Sequence, residues 1–280
     1  MEDRSKHPLA VIRAMKQSGV KEVIVAFSSG KDSLACLELC VEHFDRVVPY
    51  FMYIVKGLSF QEQHLKYIEA KYSLEVLRIP DWRLAKMLAG DFCRHKTVNS
   101  QSTKIITWRD VDNYVRSKTG IHWVASGETV NESLHRRGMI VSSNGICPKR
   151  GHFYPVGWWR RQDVHSFLSQ RGIILPSEYR IMRDGRSFGG ISPTQLADIK
   201  ASYPDDYAKI LKLFPLAEIQ IVRGAIMDEE RAKADALKKS EREERNKIKV
   251  ADRSRLRKEA RLASRKQLES QIDKAIAHVG

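Results

Sequence analysis

Beyond Gly224 the chain has no proline and no glycine until its final residue, and beyond Phe214 it has no Phe, Tyr or Trp. A segment without turn formers or aromatic anchors does not build a packed core, so residues 226–280 read as a long polar helix or a disordered charged tail. Nowhere does the sequence hold the roughly 20 consecutive apolar residues that cross a bilayer, which sets aside membrane-spanning functions. The four cysteines, Cys36, Cys40, Cys93 and Cys147, include no C-x-x-C pair. That spacing argues against a disulfide framework or a metal module, and free thiols suit a reducing, cytoplasmic setting. His95, His122, His135 and His152 likewise lack metal-ligand spacing. The opening stretch MEDRSKHPLAVIRAMKQSG is charged and lacks the apolar core of a secretory leader.

What is present is charge and a foldable core. Lysine and arginine number 49 against 34 aspartate and glutamate, a formal net charge of +15. Such an excess favours polyanionic partners, nucleic acid and nucleotides among them, and says nothing about fold. Hydrophobic residues make up 42% of the 280, enough for one large α/β domain with an appendage. VIVAF (23–27), RVVPYFMYIV (46–55), LEVLRIP (74–80) and IHWVASGE (121–128) are short apolar runs of the kind that form buried parallel strands. Helical stretches alternate with them over 8–18, 32–41, 61–72 and around 104–117. The alternation predicts a parallel sheet wound by right-handed crossovers, with its ligand at the carboxyl ends of the strands. Residues 142–155 read as loop, WWRRQDVHSFLSQRG as a helix, and 191–215 as two short helices broken near Pro204.

At the end of the first strand stands SSGKDS, residues 28–33. It is not a Walker loop, because Val25 stands where that motif has its first glycine and Asp32 where it has Ser or Thr. A shorter S-x-G-x-D-S turn between strand and helix holds phosphate differently. Its backbone N–H groups form an anion nest and the helix N-terminus adds a positive dipole end. In this reading the Ser28 and Ser33 hydroxyls donate to phosphate oxygens. Gly30 supplies a left-handed turn and a close backbone approach. Asp32 caps the helix or, indirectly, orients a magnesium ion.

SSGKDS after VIVAF resembles the pyrophosphate-binding loop of the PP-loop ATP pyrophosphatases, and more narrowly that of the phosphoadenosine-phosphosulfate (PAPS) reductase branch. Members of that branch commonly carry S-G-G-K-D-S, with Ser29 here replacing one glycine. SGETVNESLHRRGM resembles the family's segment after the fourth strand, through Gly127, Glu132, Ser133 and Arg136 or Arg137. FYPVGWWRRQDVHSFLSQRGIILPSEY resembles its Y-P-[IV]-x-x-W…D-V-x-x-[FY]-L…P-x-x-x-[LY]-Y segment. The resemblance spans about residues 20–180. It implies an adenine-nucleotide α-hydrolase-like parallel sheet flanked by helices, with a helical C-terminal extension. Residues 1–225 would be the nucleotide-binding catalytic domain and 226–280 the basic tail. It further implies ATP and Mg2+ as cofactors, held around Ser28, Ser29, Gly30, Lys31, Asp32, Ser33, Gly127 and Glu128. Lys31, Asp32, Arg136 and Arg137 are the candidates to act on the leaving pyrophosphate. The family aspartate after the second strand is missing, and Ile54, Val55 and Lys56 occupy that place.

Sulfonucleotide reduction in that family relies on a cysteine in a C-terminal E-C-G-x-H context, and no cysteine follows Cys147. The expected activity is therefore an ATP pyrophosphatase that adenylates a substrate for sulfur transfer. The substrate expected is nucleic acid, DNA or tRNA, as in the phosphorothioation and tRNA-thiolating branches. A persulfide donor such as a cysteine desulfurase is the implied partner. Cys147, near Lys149, Arg150 and His152, and Cys93, beside Arg94, His95 and Lys96, are the candidate persulfide carriers or else incidental loop cysteines. Cys36 and Cys40 read as small core residues. Trp158 and Trp159 either stack on a base or pack. In the tail, Arg253, Arg255, Arg257, Lys258, Arg261 and Arg265 are placed to lie along phosphates with salt-dependent affinity, unless the helix is only solubilising. Leu268, Ile272, Ile276 and Val279 recur at helical spacing and would dock on the body or on a protein partner. A PAPS reductase-like enzyme and a non-catalytic nucleotide-binding module remain the alternatives.

Overall fold

A computed structural model of the chain describes residues 9–96, 102–183 and 187–279. Its sheet is built on β1, Glu22–Ala26, in which Val23, Ile24 and Val25 are all fully buried. Burial of successive residues means that both faces are covered, as in parallel α/β sheets. β2 (Arg46–Tyr53), β3 (Leu77–Pro80), β4 (Val124–Ser126), β5 (Ile146–Cys147) and β6 (His152–Phe153) complete the order β3-β2-β1-β4-β6-β5. All neighbours pair in parallel except β5 with β6. The chain steps from β1 to β2 and β3 on one side and then returns to β4 on the other. The crevice between the carboxyl ends of β1 and β4 is thus the topological switch point, where open α/β sheets place their ligands.

Among the described residues the helices are α1 (Ala10–Gln17), α2 (Lys31–His43), α3 (Ser59–Tyr72), α4 (Trp82–Ala89), α5 (Trp108–Thr119), α6 (Leu134–Ser142), α7 (Arg161–Gln170), α8 (Glu178–Ile181), α9 (Pro193–Ser202), α10 (Pro204–Leu213) and α11 (Ala217–Val279). On one face of the sheet, Val23, Val25, Phe51 and Phe153 pack with residues of α1, α2, α3 and α7. On the other, Ile24, Tyr50, Ile79 and Val124 meet Val111 and Val115 of α5. A third cluster joins Ile54, Val55, Leu58 and Phe60, which follow β2, to Met182, Phe188 and the apolar sides of α9 and α10. Ile54 and Val55 both belong to this cluster, so apolar contacts occupy the stretch 54–56 where the family pattern has aspartate.

The loop expected over 142–155 is in part a short hairpin. Strands of two residues are too brief for hydrophobic periodicity to reveal. They form here because Cys147 pairs with His152 and Val124 N–H donates to Gly151 O at 2.9 Å. The tail is helical, and α11 begins before the change in composition near 225. The chain divides into two compact units, Met1–Val222 and Arg223–Gly280. Within the second, Leu237, Leu256 and Leu262 are exposed and Lys233 pairs with Glu229 at 2.7 Å. The side chains of Arg255, Arg265, Leu268, Ile272, Ile276 and Val279 lie outside the described residues. Among the described residues no helix is long and apolar enough to cross a membrane.

Candidate phosphate-binding site

The turn from β1 into α2 closes on itself through its serines. Ser33 Oγ donates to Gly30 O at 2.9 Å, and Ser28 Oγ donates to Ser33 Oγ at 3.1 Å. The Ser28 N–H points at Ser33 Oγ, 3.2 Å away, and the Gly30 N–H at Ser28 Oγ, 3.4 Å away. Leu34 N–H returns to Gly30 O as the first helical bond. These bonds fix the corner without a ligand and leave the helix N-terminus facing the crevice. Asp32 and Ser33 N–H, the next donors of that terminus, find no acceptor among the described residues.

Two expectations for this corner need correction. Gly30 is extended, with φ −78° and ψ 157°, and the left-handed residue is Ser29, with φ 62°. The strain therefore falls on the position where Ser29 replaces a family glycine, and costs about 1–2 kcal/mol. Nor does Asp32 cap the helix. Gly30, which has no side chain to cap with, is the N-cap, and Asp32 instead pairs with Lys31 Nζ at 2.5 Å.

The close backbone approach is made by Gly127, just past β4. A Cβ there would stand 2.7 Å from Ser33 N and 2.8 Å from Asp32 C, so no other residue fits without moving α2. Glu128 follows, and its carboxylate accepts from Arg136 Nε at 3.1 Å. Arg136 also pairs with Glu132, and Arg137 Nε is turned to Val130 O at 3.2 Å. Both arginines are thus engaged by their own loop, whose Ser133 caps α6 by accepting from Arg136 N–H at 3.2 Å.

Cys147 does not lie at the corner. β5 is three strands from β1, about 14 Å across the sheet. Cys147 stands level with Val124, two residues short of the carboxyl end of β4. The cations expected beside it are directed elsewhere: His152 Nε2 is 2.8 Å from Asp112 Oδ2, and Arg150 Nη1 reaches Met139 Sδ at 2.6 Å. Asp112 also accepts from Tyr50 Oη at 3.1 Å, completing a buried trio under α5. Cys93 packs on the third cluster, and burial pushes its thiol up, against the thiolate expected from its basic neighbours. Cys36 and Cys40 are fully buried, as expected of core residues. Trp159 packs edge-on against Phe167 at 4.9 Å, and Trp158 packs on the same core.

Three neighbours of the corner escaped the sequence reading. Tyr179, on α8, accepts from Lys31 N–H at 2.9 Å across 148 positions. His165, on α7, is held low by desolvation and then by the charge of Lys31, which places it within electrostatic reach of the loop. His64, on α3, stacks on Phe27, which leads into the loop, and burial lowers it to about 4 and keeps it neutral. Tyr179 and His165 fall inside a stretch whose family pattern had been noticed, yet no spacing rule joins them to Lys31.

Residues 22–180 match the model of the phosphoadenosine phosphosulfate reductase domain. The chain belongs to that family. Its mostly parallel sheet with flanking helices is the adenine-nucleotide α-hydrolase fold of PAPS reductase-domain proteins. A solved structure of the NH3-dependent NAD synthetase from Campylobacter jejuni subsp. jejuni, in complex with the nitrate ion, is similar at 13% identity and a TM-score of 0.41, over 80% of this chain and 94% of that one. No curated protein matches the chain.

Proposed function

We propose that this PAPS reductase-domain protein is an ATP pyrophosphatase that adenylates a nucleic acid, DNA or tRNA, for sulfur transfer. The observation that carries the reading is the closeness of Gly127 to the α2 N-terminus, which keeps a backbone cradle free of side-chain bulk where the sheet switches direction. Donors aimed at one place, with Lys31 beside them, suit an anion that gains charge as it leaves. In this reading backbone N–H groups of 30–33 and Lys31 hold the β- and γ-phosphates while an acceptor oxygen attacks the α-phosphorus. The acceptor becomes the adenylate and pyrophosphate departs.

Among the described residues no group of three His, Cys, Asp or Glu comes together around a metal. A magnesium ion would accordingly rest mainly on the phosphates, with Asp32 orienting its waters, and would neutralise charge on the leaving group. The stretch 148–280 holds no cysteine, Cys147 stands three strands from β1, and burial pushes the Cys93 thiol up, which disfavours a thiol attack on sulfate from within this chain. Sulfur is better brought by a separate persulfide donor such as a cysteine desulfurase. The basic stretch of α11 would hold the nucleic acid.

The test is release of pyrophosphate and AMP from α-labelled ATP with Mg2+, with and without DNA or tRNA, for wild type and Asp32→Ala. Cleavage stimulated by one nucleic acid and lost in the variant supports the reading and names the acceptor class. ATP binding without cleavage under every condition overturns it and leaves a binding module.

A further inference from the structure

The bond between Tyr179 and Lys31 is placed where the phosphate loop would do its work. The first N–H groups of a helix are the ones that lack intrahelical acceptors, and they are what an anion takes. At α2 the Lys31 N–H is already taken, by a phenol oxygen at 2.9 Å. Ser187 stands over the same corner: a Cβ on Gly30 would lie 3.6 Å from Tyr179 Oη and 3.5 Å from Ser187 Oγ. Two hydroxyls from the segment after α7 therefore sit on the crown of the loop.

We propose that Tyr179 is a latch on the phosphate site: its hydroxyl stands in for a phosphate oxygen at the Lys31 N–H, and an incoming pyrophosphate group displaces it. This rests on the reading of Ser28–Ser33 as a phosphate loop. Displacement follows from the count of acceptors. One N–H makes one good bond, so a phosphate oxygen and the phenol cannot both hold Lys31 N–H at full strength. A charged acceptor bonds roughly twice as strongly as a neutral one, so the phosphate prevails.

The seat of the latch is built to be left. Glu178, beside Tyr179, is 1% exposed. One of its oxygens accepts from Phe188 N–H at 3.3 Å, while the other, Oε2, is buried without a partner. A buried carboxyl oxygen lacking a bond costs free energy for as long as the turn stays seated. Ser29 Oγ, on the loop side, is likewise buried and unpartnered. Apolar packing of Met182 and Phe188 on the third cluster holds the turn in place against these costs. The closed arrangement is thus a balance that a ligand of the loop can tip.

The experiment compares inorganic pyrophosphate binding to full-length wild type and Tyr179→Phe by titration calorimetry, with thermal unfolding to establish that both are folded. Phenylalanine keeps the buried ring and removes the competing oxygen. The expected result is tighter binding by the variant, by about fivefold, the scale of one neutral hydrogen bond. Unchanged or weaker binding by the variant, with wild-type binding intact, overturns the latch and leaves the loop reading standing. Absence of pyrophosphate binding in both overturns the loop reading and the latch with it. Amide exchange gives a second readout: on adding pyrophosphate to wild type, residues 28–34 should gain protection while 177–183 lose it. Protection gained in both stretches would instead make Tyr179 a ligand that stays.

Discussion

The β1–α2 corner and the basic half of α11 both offer positive electrostatic potential, and they are assembled in opposite ways. At the corner the positive end comes from backbone dipoles. It is positioned by residues distant in sequence: Gly127 against Ser33 N, and Tyr179 against Lys31 N. In α11 it comes from side chains on one continuous helix. Residues 245–266 hold ten basic and two acidic residues, whereas 226–244 hold five basic and seven acidic. The corner is specified by position, so single atoms matter there. The tail is specified by composition, so its effects should add up charge by charge.

The sharpest way to break that contrast is Gly127→Ala. The new Cβ, 2.7 Å from Ser33 N, must push α2 aside. Overpacking of this kind costs about 1–3 kcal/mol, and if it falls wholly on the bound geometry pyrophosphate affinity drops by up to about 100-fold. Binding of duplex DNA or tRNA to the same variant should stay at the wild-type level. Calorimetry with pyrophosphate and a gel-shift series read the two sides. Wild-type affinity for pyrophosphate would mean the corner yields more easily than its packing implies.

Next in size is Glu178→Gln, which probes how finely the surroundings of the corner are balanced. Burial raises Glu178 from 4.5 to about 7. The unfolded chain releases this proton first, so stability is fully present below pH 4.5, falls as pH climbs toward 7, and stays lowered above it. Glutamine cannot ionise, so it should gain up to about 3 kcal/mol over wild type at pH 8 and nothing at pH 4, read by denaturant melts. An equal gain at both pH values would assign the effect to packing.

Much of this contrast could be read before any coordinates. The first four strands, the α2 turn and the break at Pro204 are encoded locally, in apolar runs and turn chemistry, and they lie on those signals. Gly127 was legible only through family resemblance, since nothing near it in sequence says that a helix passes within van der Waals distance. The contacts of Tyr179 and His165 and the Asp112–His152 pairing are not legible in the sequence, because tertiary folding alone brings these residues to their partners. The left-handed turn expected at Gly30 falls on Ser29 for a related reason. Composition favours glycine for a left-handed turn, and the fold placed that turn one residue earlier.

On the tail side, replacing Arg253, Arg257 and Arg261 by glutamine removes three cations at i, i+4 and i+8 from one helical ridge. If each neutralises a phosphate, the logarithmic salt slope of DNA binding should flatten by about 2 to 3, with roughly tenfold weaker binding at 0.15 M salt. Pyrophosphate affinity should not change. Loss restricted to one DNA sequence would show that the helix reads bases and is not a composition-driven device.

The smallest effect expected is that of Ser29→Gly, and it asks what the corner's strain is for. Serine at φ 62° costs about 1–2 kcal/mol, and its buried hydroxyl has no partner. Glycine removes both costs while adding freedom to the unfolded chain, so the net gain should be about 1 kcal/mol, or roughly 2–4 °C in Tm. A higher Tm with unchanged pyrophosphate affinity would make the serine a tolerated replacement. A higher Tm with weaker affinity would mean that the hydroxyl turns to the ligand once the loop is filled, and that the strain holds it ready. A lower Tm would show that the hydroxyl already contributes to the folded corner, and the left-handed serine would have to be counted with the residues that build it.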